Sequence, residues 1–192
     1  MTTTDLTQIA TRITQANIEL INASIKKLSN TQLNWKPTAT SWSINEVLSH
    51  LNEYLKYYHP LFLRKIENTR FTSTKEGFSS SPLGRSAWKS MKLGNAQNIK
   101  RKIKSPKDCN PTFTPSVLKG EQLHQFIDQQ KNFLFIIEKS KAVNIRRIKI
   151  PISRSKVVRL RLGDALLYVV YHNERHMQQI LNIQHNTNFP AQ

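Results

Sequence analysis

The sequence predicts an all-α protein, a helix bundle with a short extended arm before its last helix. Four segments repeat apolar residues at spacings of three and four, the period of an amphipathic helix. One stretch, residues 142–161, instead alternates apolar and basic residues with the period of two that is typical of strands, and Pro151 excludes a continuous central strand there. Four long amphipathic helices and little strand favour a bundle whose apolar stripes meet in one core.

Length and composition indicate one globular domain. The chain has 192 residues, enough for a full-sized core, so we expect a single domain over residues 1–192. No apolar run approaches the roughly 20 residues that cross a bilayer, and the first residues lack the pattern of a secretory signal. A single cysteine, Cys109, excludes an intramolecular disulfide. We therefore expect a cytoplasmic protein with no membrane contact.

Two helices are predicted in the N-terminal half. The first covers residues 4–29, where apolar residues recur at helical spacing. The second has a clear start, because Ser43 can cap the helix while Glu46, three residues later, bonds back to complete a capping box. Pro60 lacks a backbone donor and disfavours helix at His59, so we expect a kink or break before the helix resumes.

The C-terminal half predicts two more long helices. One covers residues 120–140, and the last covers residues 162–184. Residues 69–118 are less regular and contain four prolines, with a short helix expected around 83–91. So long a connection inside a compact domain is often a lid or part of a pocket wall.

Two histidines lie within the apolar stripe of the last helix. His172 and His176 are four residues apart, so their side chains lie one above the other, about 6 Å apart, where both rings can bind one metal ion. Burying two imidazoles costs free energy unless each finds a partner. The pair is not the HExxH motif of zinc proteases, because Asn173 occupies the position of the glutamate. Glu174 points about 200° away from His172 around the helix.

A third ligand is predicted on the second helix. His50 lies on its buried stripe, and inward positions on two helices of a bundle can meet. His50, His172 and His176 can therefore form a three-histidine metal site with open positions. Glu53, one turn beyond His50, is a candidate for orienting its ring. The alternative is that the histidines are polar core groups and Glu53 is an exposed carboxylate.

These residues resemble the DinB-like superfamily, whose members include the YfiT-type thiol transferases. The shared pattern is a tryptophan-led helix with one histidine, in WSINEVLSHL (42–51), and a last helix with H-x-x-x-H, in LGDALLYVVYHNERHMQQI (162–180). The matching residues are Trp42, His50, His172, His176 and Gln179. The resemblance implies an up-down-down-up four-helix bundle, a divalent metal held by the three histidines, and frequently a homodimer.

This ligand set predicts two kinds of chemistry. Three neutral imidazoles leave a divalent ion its full charge, so a bound water or thiol becomes strongly acidic and is the expected nucleophile. Transfer of a low-molecular-weight thiol to a small electrophile, an S-transferase reaction, is the leading expectation. Hydrolysis of an amide or ester is the alternative. The donor set does not by itself select the metal, and zinc or nickel is expected.

The net charge of +17 raises a different class of function. Such a surplus favours nucleic acid or another anionic partner, so a non-enzymatic basic binding module is the alternative to an enzyme. Nine basic residues and no acidic one lie between positions 139 and 161, and a smaller cluster covers residues 100–107. Neither cluster contains the interleaved aromatics of single-strand binders, which disfavours nucleic acid. A binding module would need the 139–161 cluster on one face of the protein.

Overall fold

Helices dominate the structure, a computed structural model that describes residues 1–96, 98–99, 103–105, 107–113, 121–152 and 155–191. The helices are α1 (Thr3–Ala23), α2 (Asn30–Asn34), α3 (Ile44–Glu67), α4 (Pro82–Met91), α5 (Gln122–Ser140) and α6 (Leu162–Gln184). Two strands, β1 (Lys149–Ile152) and β2 (Ser155–Arg161), form a hairpin, and short 3-10 turns occur at Ile25–Lys27 and Lys107–Cys109. None of the helices in these ranges combines the length and the hydropathy that a bilayer crossing requires.

The four long helices form the predicted bundle. α1 packs against α5 and α6, and α3 packs against the same two helices, so α1 and α3 lie at opposite corners. Along α3, His50 lies beside His172, and Tyr54, one turn later, bonds to the earlier Tyr168 of α6. Later residues of α3 therefore contact earlier residues of α6. These two helices run antiparallel.

Contacts between α3 and α5 show the opposite relation. The amide of Asn52 donates to the backbone oxygen of Gln122 at 2.9 Å. Further along both helices, Asn132 Nδ2 lies 3.3 Å from His59 Nδ1. Later residues of α3 therefore contact later residues of α5, so these two helices run parallel.

The ends of α1 and α6 complete the topology. Before α1, the Met1 carbonyl accepts from the Phe78 N–H at 3.1 Å, and the Phe78 ring lies against Gly163 at the start of α6. Beyond both helices, Gln32 Nε2 donates to the Pro190 carbonyl at 3.0 Å. α1 and α6 are therefore parallel to each other, and the order along the chain is up-down-down-up, as predicted.

The first helix is shorter than the predicted range 4–29. α1 ends at Ala23, because Ser24 leaves helical geometry at φ −122° and ψ −54°, and the 3-10 turn that follows buries Ile25 completely. Ser29 then caps α2, its hydroxyl accepting from the Gln32 N–H at 3.3 Å. Apolar spacing continues through this turn, so the period alone does not reveal where α1 ends.

α3 begins as predicted and continues past the expected break. The Ser43 hydroxyl accepts from the Glu46 N–H at 3.2 Å, and the Glu46 carboxylate accepts from the Ser43 N–H at 2.8 Å. Of the kink or break expected near Pro60, the break is wrong, because the helix is continuous through His59 and Pro60. Pro60 is exposed, so the carbonyl of Lys56 that loses its helical partner lies on the solvent side, where water can satisfy it.

The extended arm is the β1–β2 hairpin. Ile150 pairs with Leu160, and both side chains are buried. Pro151 lies within β1 opposite Arg159, and the register shifts between Pro151 and Ile152; in this two-stranded hairpin neither strand is central, in agreement with the prediction that Pro151 excludes a central strand. β2 leads directly into α6 at Leu162, the predicted start of the last helix.

α4 is the short helix predicted around residues 83–91, and it packs on α6. Asp164 in the first turn of α6 accepts hydrogen bonds from the backbone and hydroxyl of Ser81, at 3.1 and 3.2 Å. Gly84 permits this approach, since a Cβ there would lie 2.1 Å from an Asp164 carboxylate oxygen. The long connection is thereby held beside the C-terminal helix.

Candidate metal centre

Three histidine side chains meet between α3 and α6, and we call His50, His172 and His176 the histidine site. His50 lies near the start of α3, and the other two lie on successive turns of α6. The ring centroids are 4.6 Å apart for His172–His176, 4.7 Å for His50–His176 and 5.1 Å for His50–His172. Each ring offers one nitrogen, and these nitrogens all lie within 4.8 Å of one another. The structure brings together the three residues predicted as ligands.

Hydrogen bonds fix the tautomer of two of these rings. His50 Nδ1 lies 2.6 Å from the Cys109 carbonyl oxygen, which can only accept, so Nδ1 carries the proton. His176 Nδ1 lies 2.8 Å from Gln179 Oε1 and donates to it in the same way. The Nε2 atom of each ring therefore keeps an unprotonated lone pair. This is the arrangement by which outer partners orient metal-binding imidazoles.

Burial keeps the three imidazoles neutral. His50 is 3% and His172 is 5% exposed. Burial lowers the pKa of His50, although the hydrogen bond to Cys109 opposes the shift. Burial also lowers the pKa of His172 and His176 well below the ordinary range; the proximity of His176 and His50 lowers the pKa of His172 further, and the proximity of His50 does so for His176. Neutral imidazole is the form that binds metal ions.

Aromatic rings pack around the histidine site. Trp42 stacks on His176 with an interplanar angle of 20° and a centroid distance of 6.3 Å. Tyr54 stacks on His172 at 4.2 Å and 26°, and its hydroxyl donates to that of Tyr168 at 2.9 Å. Since these contacts restrict the imidazole planes, the rings are held in place before any ligand binds.

The three histidines open into a cleft of about 970 Å³, the histidine cleft. Its other walls come from residues 37–42, α4, the hairpin and residues 103–105, and they combine apolar side chains with polar ones. The apolar residues include Leu83, Met91, Ile103, Ile152, Val158 and Leu160. Lys104 and Arg175 are also in the lining, and the described part of the lining contains no carboxylate. A cleft of this size and character suits a small molecule.

Glu53 does not contact His50. Its carboxylate lies 2.5 Å from Lys56 Nζ, and the Glu53 side chain is 45% exposed. The prediction that it orients the His50 ring is therefore not met, because Glu53 faces solvent. The Cys109 carbonyl takes that place, and Ser105 Oγ lies 3.4 Å from the same ring nitrogen.

The sequence-based prediction missed several groups of the histidine cleft. Tyr168 and Arg175 stand four residues before and three residues after His172, so helical spacing could have identified both. The Cys109 carbonyl and Ser105 gave no such signal. They reach His50 only through the path that the long connection takes across the bundle.

Comparisons with known proteins agree with this architecture. A family model described as the DinB superfamily matches residues 13–180. The uncharacterized protein YuaE of Bacillus subtilis (strain 168) is 27% identical over 172 residues, which cover 88% of this chain and 93% of YuaE. A solved structure, YfiT from Bacillus subtilis, matches with a TM-score of 0.57 and 13% identity, covering 98% of this chain and 89% of YfiT. YfiT is described as "a probable metal-dependent hydrolase with an unusual four-helix bundle topology", and at this identity the likeness shows a shared fold. The chain belongs to the DinB superfamily.

Proposed function

We propose that this protein binds one divalent metal ion through His50, His172 and His176 and is a metal-dependent enzyme acting on small molecules. The observation that carries the proposal is the convergence of three imidazole nitrogens at the wall of a cleft of about 970 Å³. Three histidines are a ligand set that leaves a further position on the ion for water or substrate.

The hydrogen bonding of His172 supports a bound cation. Its Nε2 lies 3.2 Å from His50 Nε2, and its Nδ1 is buried without a partner among the described residues. If Nε2 carries the proton, the Nδ1 lone pair is buried unpaired. If Nδ1 carries it, that N–H is unpaired and two Nε2 lone pairs face each other. A cation bound to both Nε2 atoms removes this repulsion, so the donors fit a metal ion.

The surrounding residues have separate tasks in this proposal. When bound, a divalent ion with three neutral ligands keeps its full charge and acidifies a water or thiol. The Cys109 carbonyl and Gln179 hold the His50 and His176 rings in the tautomer that binds metal. Lys104 and Arg175 add positive charge to a lining that otherwise combines apolar side chains with uncharged polar ones. We therefore expect a substrate with an apolar body and an anionic group.

Thiol transfer is the reaction we propose first. The histidine cleft, at about 970 Å³, is close to the upper end of the roughly 300–1,000 Å³ usual for small-molecule pockets. That volume accommodates a low-molecular-weight thiol beside an electrophile. Hydrolysis of an ester or amide is the second candidate, and it is supported by the description of YfiT as a probable metal-dependent hydrolase. Zinc and nickel are the metals to test first.

A homodimer and a cytoplasmic location stay predictions. The homodimer follows from the resemblance alone, and light scattering of the purified chain tests it directly. Subcellular fractionation tests the location.

An activity screen separates the two reactions. The metal-loaded chain is incubated with low-molecular-weight thiols and alkyl or aryl halides, and separately with esters and amides, with products followed by mass spectrometry. We expect thiol adducts that disappear on chelation and return with metal. His176→Ala should abolish the reaction, and His124→Ala, which changes an exposed histidine of α5, should preserve it.

Hydrolysis without thiol adducts would assign the second reaction. Absence of both reactions with every metal tested would contradict an enzymatic function.

A further inference from the structure

A second cleft, of about 640 Å³, lies where the chain before α4 meets the β1–β2 hairpin. We call it the basic cleft. Its charged lining consists of Lys75, Arg146, Arg147, Lys149 and Arg161 together with a single carboxylate, Glu76. It shares no lining residue with the histidine cleft. Four of its five cations come from the 139–161 cluster, so the fold gathers part of that cluster on one surface.

The cations of the basic cleft are only partly neutralised by the protein. Within the described ranges, the ion pairs that form involve none of these five residues. Five positive charges less the one negative charge of Glu76 leave a local charge of +4. Like charges gathered in one cleft repel each other, so the arrangement costs stability unless an anion binds.

Uncharged contacts hold two of the guanidinium groups in position. The Arg147 guanidinium lies 4.5 Å from the centroid of the Phe71 ring. Arg161 donates to the Ser79 carbonyl. A ring and a carbonyl orient these cations without cancelling their charge, so a bound anion meets guanidinium groups that are already placed.

The backbone around the basic cleft is also tied to the bundle. Thr3, in the first turn of α1, donates from its N–H to the Glu76 carbonyl at 2.6 Å and from its hydroxyl to the Lys75 carbonyl at 2.7 Å. On the facing wall, the Asn144 N–H donates to the Phe71 carbonyl at 2.8 Å. The backbone of both walls is therefore anchored to neighbouring segments.

We propose that the basic cleft binds a small molecule that carries a diphosphate or triphosphate group. A single phosphate group carries about −1.5 to −2 at pH 7, so it balances at most half of the local charge of +4, and a diphosphate or triphosphate group balances more of it. Guanidinium groups also match phosphate oxygens in a bidentate fork. The described lining contains no aromatic residue, which disfavours the base stacking that single-stranded nucleic acid needs.

Calorimetric titration of the full chain with inorganic pyrophosphate tests this site. The variant pair is Arg146→Gln/Lys149→Gln, which removes two cleft cations, and Lys26→Gln/Lys27→Gln, which removes two exposed cations elsewhere with the same change in net charge. We expect the cleft variant to lose at least about tenfold in pyrophosphate affinity and the control variant to keep it. Equal losses in the two variants overturn the proposal.

A second pair of variants leaves every cation in place. A Cβ added at Gly77 meets no atom within 4 Å, so a side chain can be introduced there without a clash at its first atom. Gly77→Glu should weaken pyrophosphate binding by its charge, whereas Gly77→Gln, of the same size, should not.

His172→Ala should keep the pyrophosphate affinity, since it changes the other cleft. The proposal is overturned if Gly77→Glu binds pyrophosphate as well as Gly77→Gln does. It is also overturned if a single-stranded oligonucleotide binds through Arg146 and Lys149 while pyrophosphate does not bind.

Discussion

The histidine site and the basic cleft place nitrogen groups in opposite environments. The histidine site holds neutral imidazoles on α3 and α6, with His50 only 3% exposed, and burial keeps them unprotonated. The basic cleft holds permanent cations on connecting segments, and all but the half-buried Arg161 are exposed. A metal ion needs lone pairs and a phosphate needs charge, so each environment suits one ligand. The net charge of +17 is therefore informative about the ligand of the basic cleft, and it does not indicate which ligand the histidine site binds.

The largest expected difference between the two regions is in how far a variant of each reduces the stabilisation of the protein by added metal. A divalent ion at about 1,000 times its Kd stabilises a native protein by about 4 kcal/mol. His176→Ala removes one ligand and should abolish this gain, whereas Arg146→Gln/Lys149→Gln should keep it. Thermal unfolding with and without added metal measures the difference. An equal rise in Tm for His176→Ala and the native chain would contradict the comparison.

His59 shows what burial does to a histidine away from both regions. It is 2% exposed, stacks on Phe133 at 5.4 Å, and burial lowers its pKa from 6.5 to about 4. The unfolded chain therefore binds a proton on His59 more readily than the folded chain does. The stability that depends on the neutral His59 ring is complete above pH 6.5 and is lost as the pH falls towards 4. The full loss is on the order of 3 kcal/mol.

Urea unfolding between pH 7 and pH 4 measures this contribution. His59→Gln should lose less stability on acidification than the native chain does. His185→Gln, at an exposed position after α6, should behave like the native chain. The same pH dependence in His59→Gln and the native chain would argue against a buried neutral imidazole.

Removing the hydrogen bond from His176 to Gln179 should have a smaller effect, and this effect should be limited to the metal affinity of the histidine site. Gln179→Leu removes the acceptor at 2.8 Å and should weaken metal binding by about 10- to 100-fold. The neighbouring Gln178 bonds to Asn182 on the exposed side of α6 at 3.0 Å, so Gln178→Leu is the matched control. Competition with a chromophoric chelator measures both affinities. Equal affinities would show that Gln179 does not support the ligand.

Removing the cap of α3 should have the smallest effect. Ser43→Ala deletes the hydroxyl that accepts from the Glu46 N–H and should lower the free energy of unfolding by about 1 kcal/mol. Thr4→Ala, at an exposed position of α1, should change it little. Urea unfolding at neutral pH compares the two. The histidine site should retain its metal in both variants, since the cap supports the helix and not the ligands directly.

Features that follow helical geometry could be predicted from the sequence. The spacing of His172 and His176 fixes them on one face of a helix, and the apolar stripe around His50 fixes the inward direction of a second helix. The capping box of Ser43 and Glu46 fixes where that second helix begins. These are local rules, and tertiary packing preserved them.

Features that depend on the path of the chain could not be predicted. Nothing near Cys109 in sequence indicates that its carbonyl bonds to His50, because the contact joins a loop to a helix 59 residues away. The basic cleft could not be predicted either, because Lys75 lines the same cleft as Arg146 and Lys149, which lie about 70 residues later in the sequence. Ser24 ends α1 although the apolar spacing continues beyond it. In each case packing against a distant segment decides the outcome.

Metal content of the purified chain tests the central claim most directly. Elemental analysis should find about one divalent ion per native chain, as a single three-histidine site requires. His172→Ala should hold almost none, and His124→Ala, with its change at an exposed histidine, should match the native chain. Full metal occupancy in His172→Ala would contradict the assignment of His50, His172 and His176 as a metal centre.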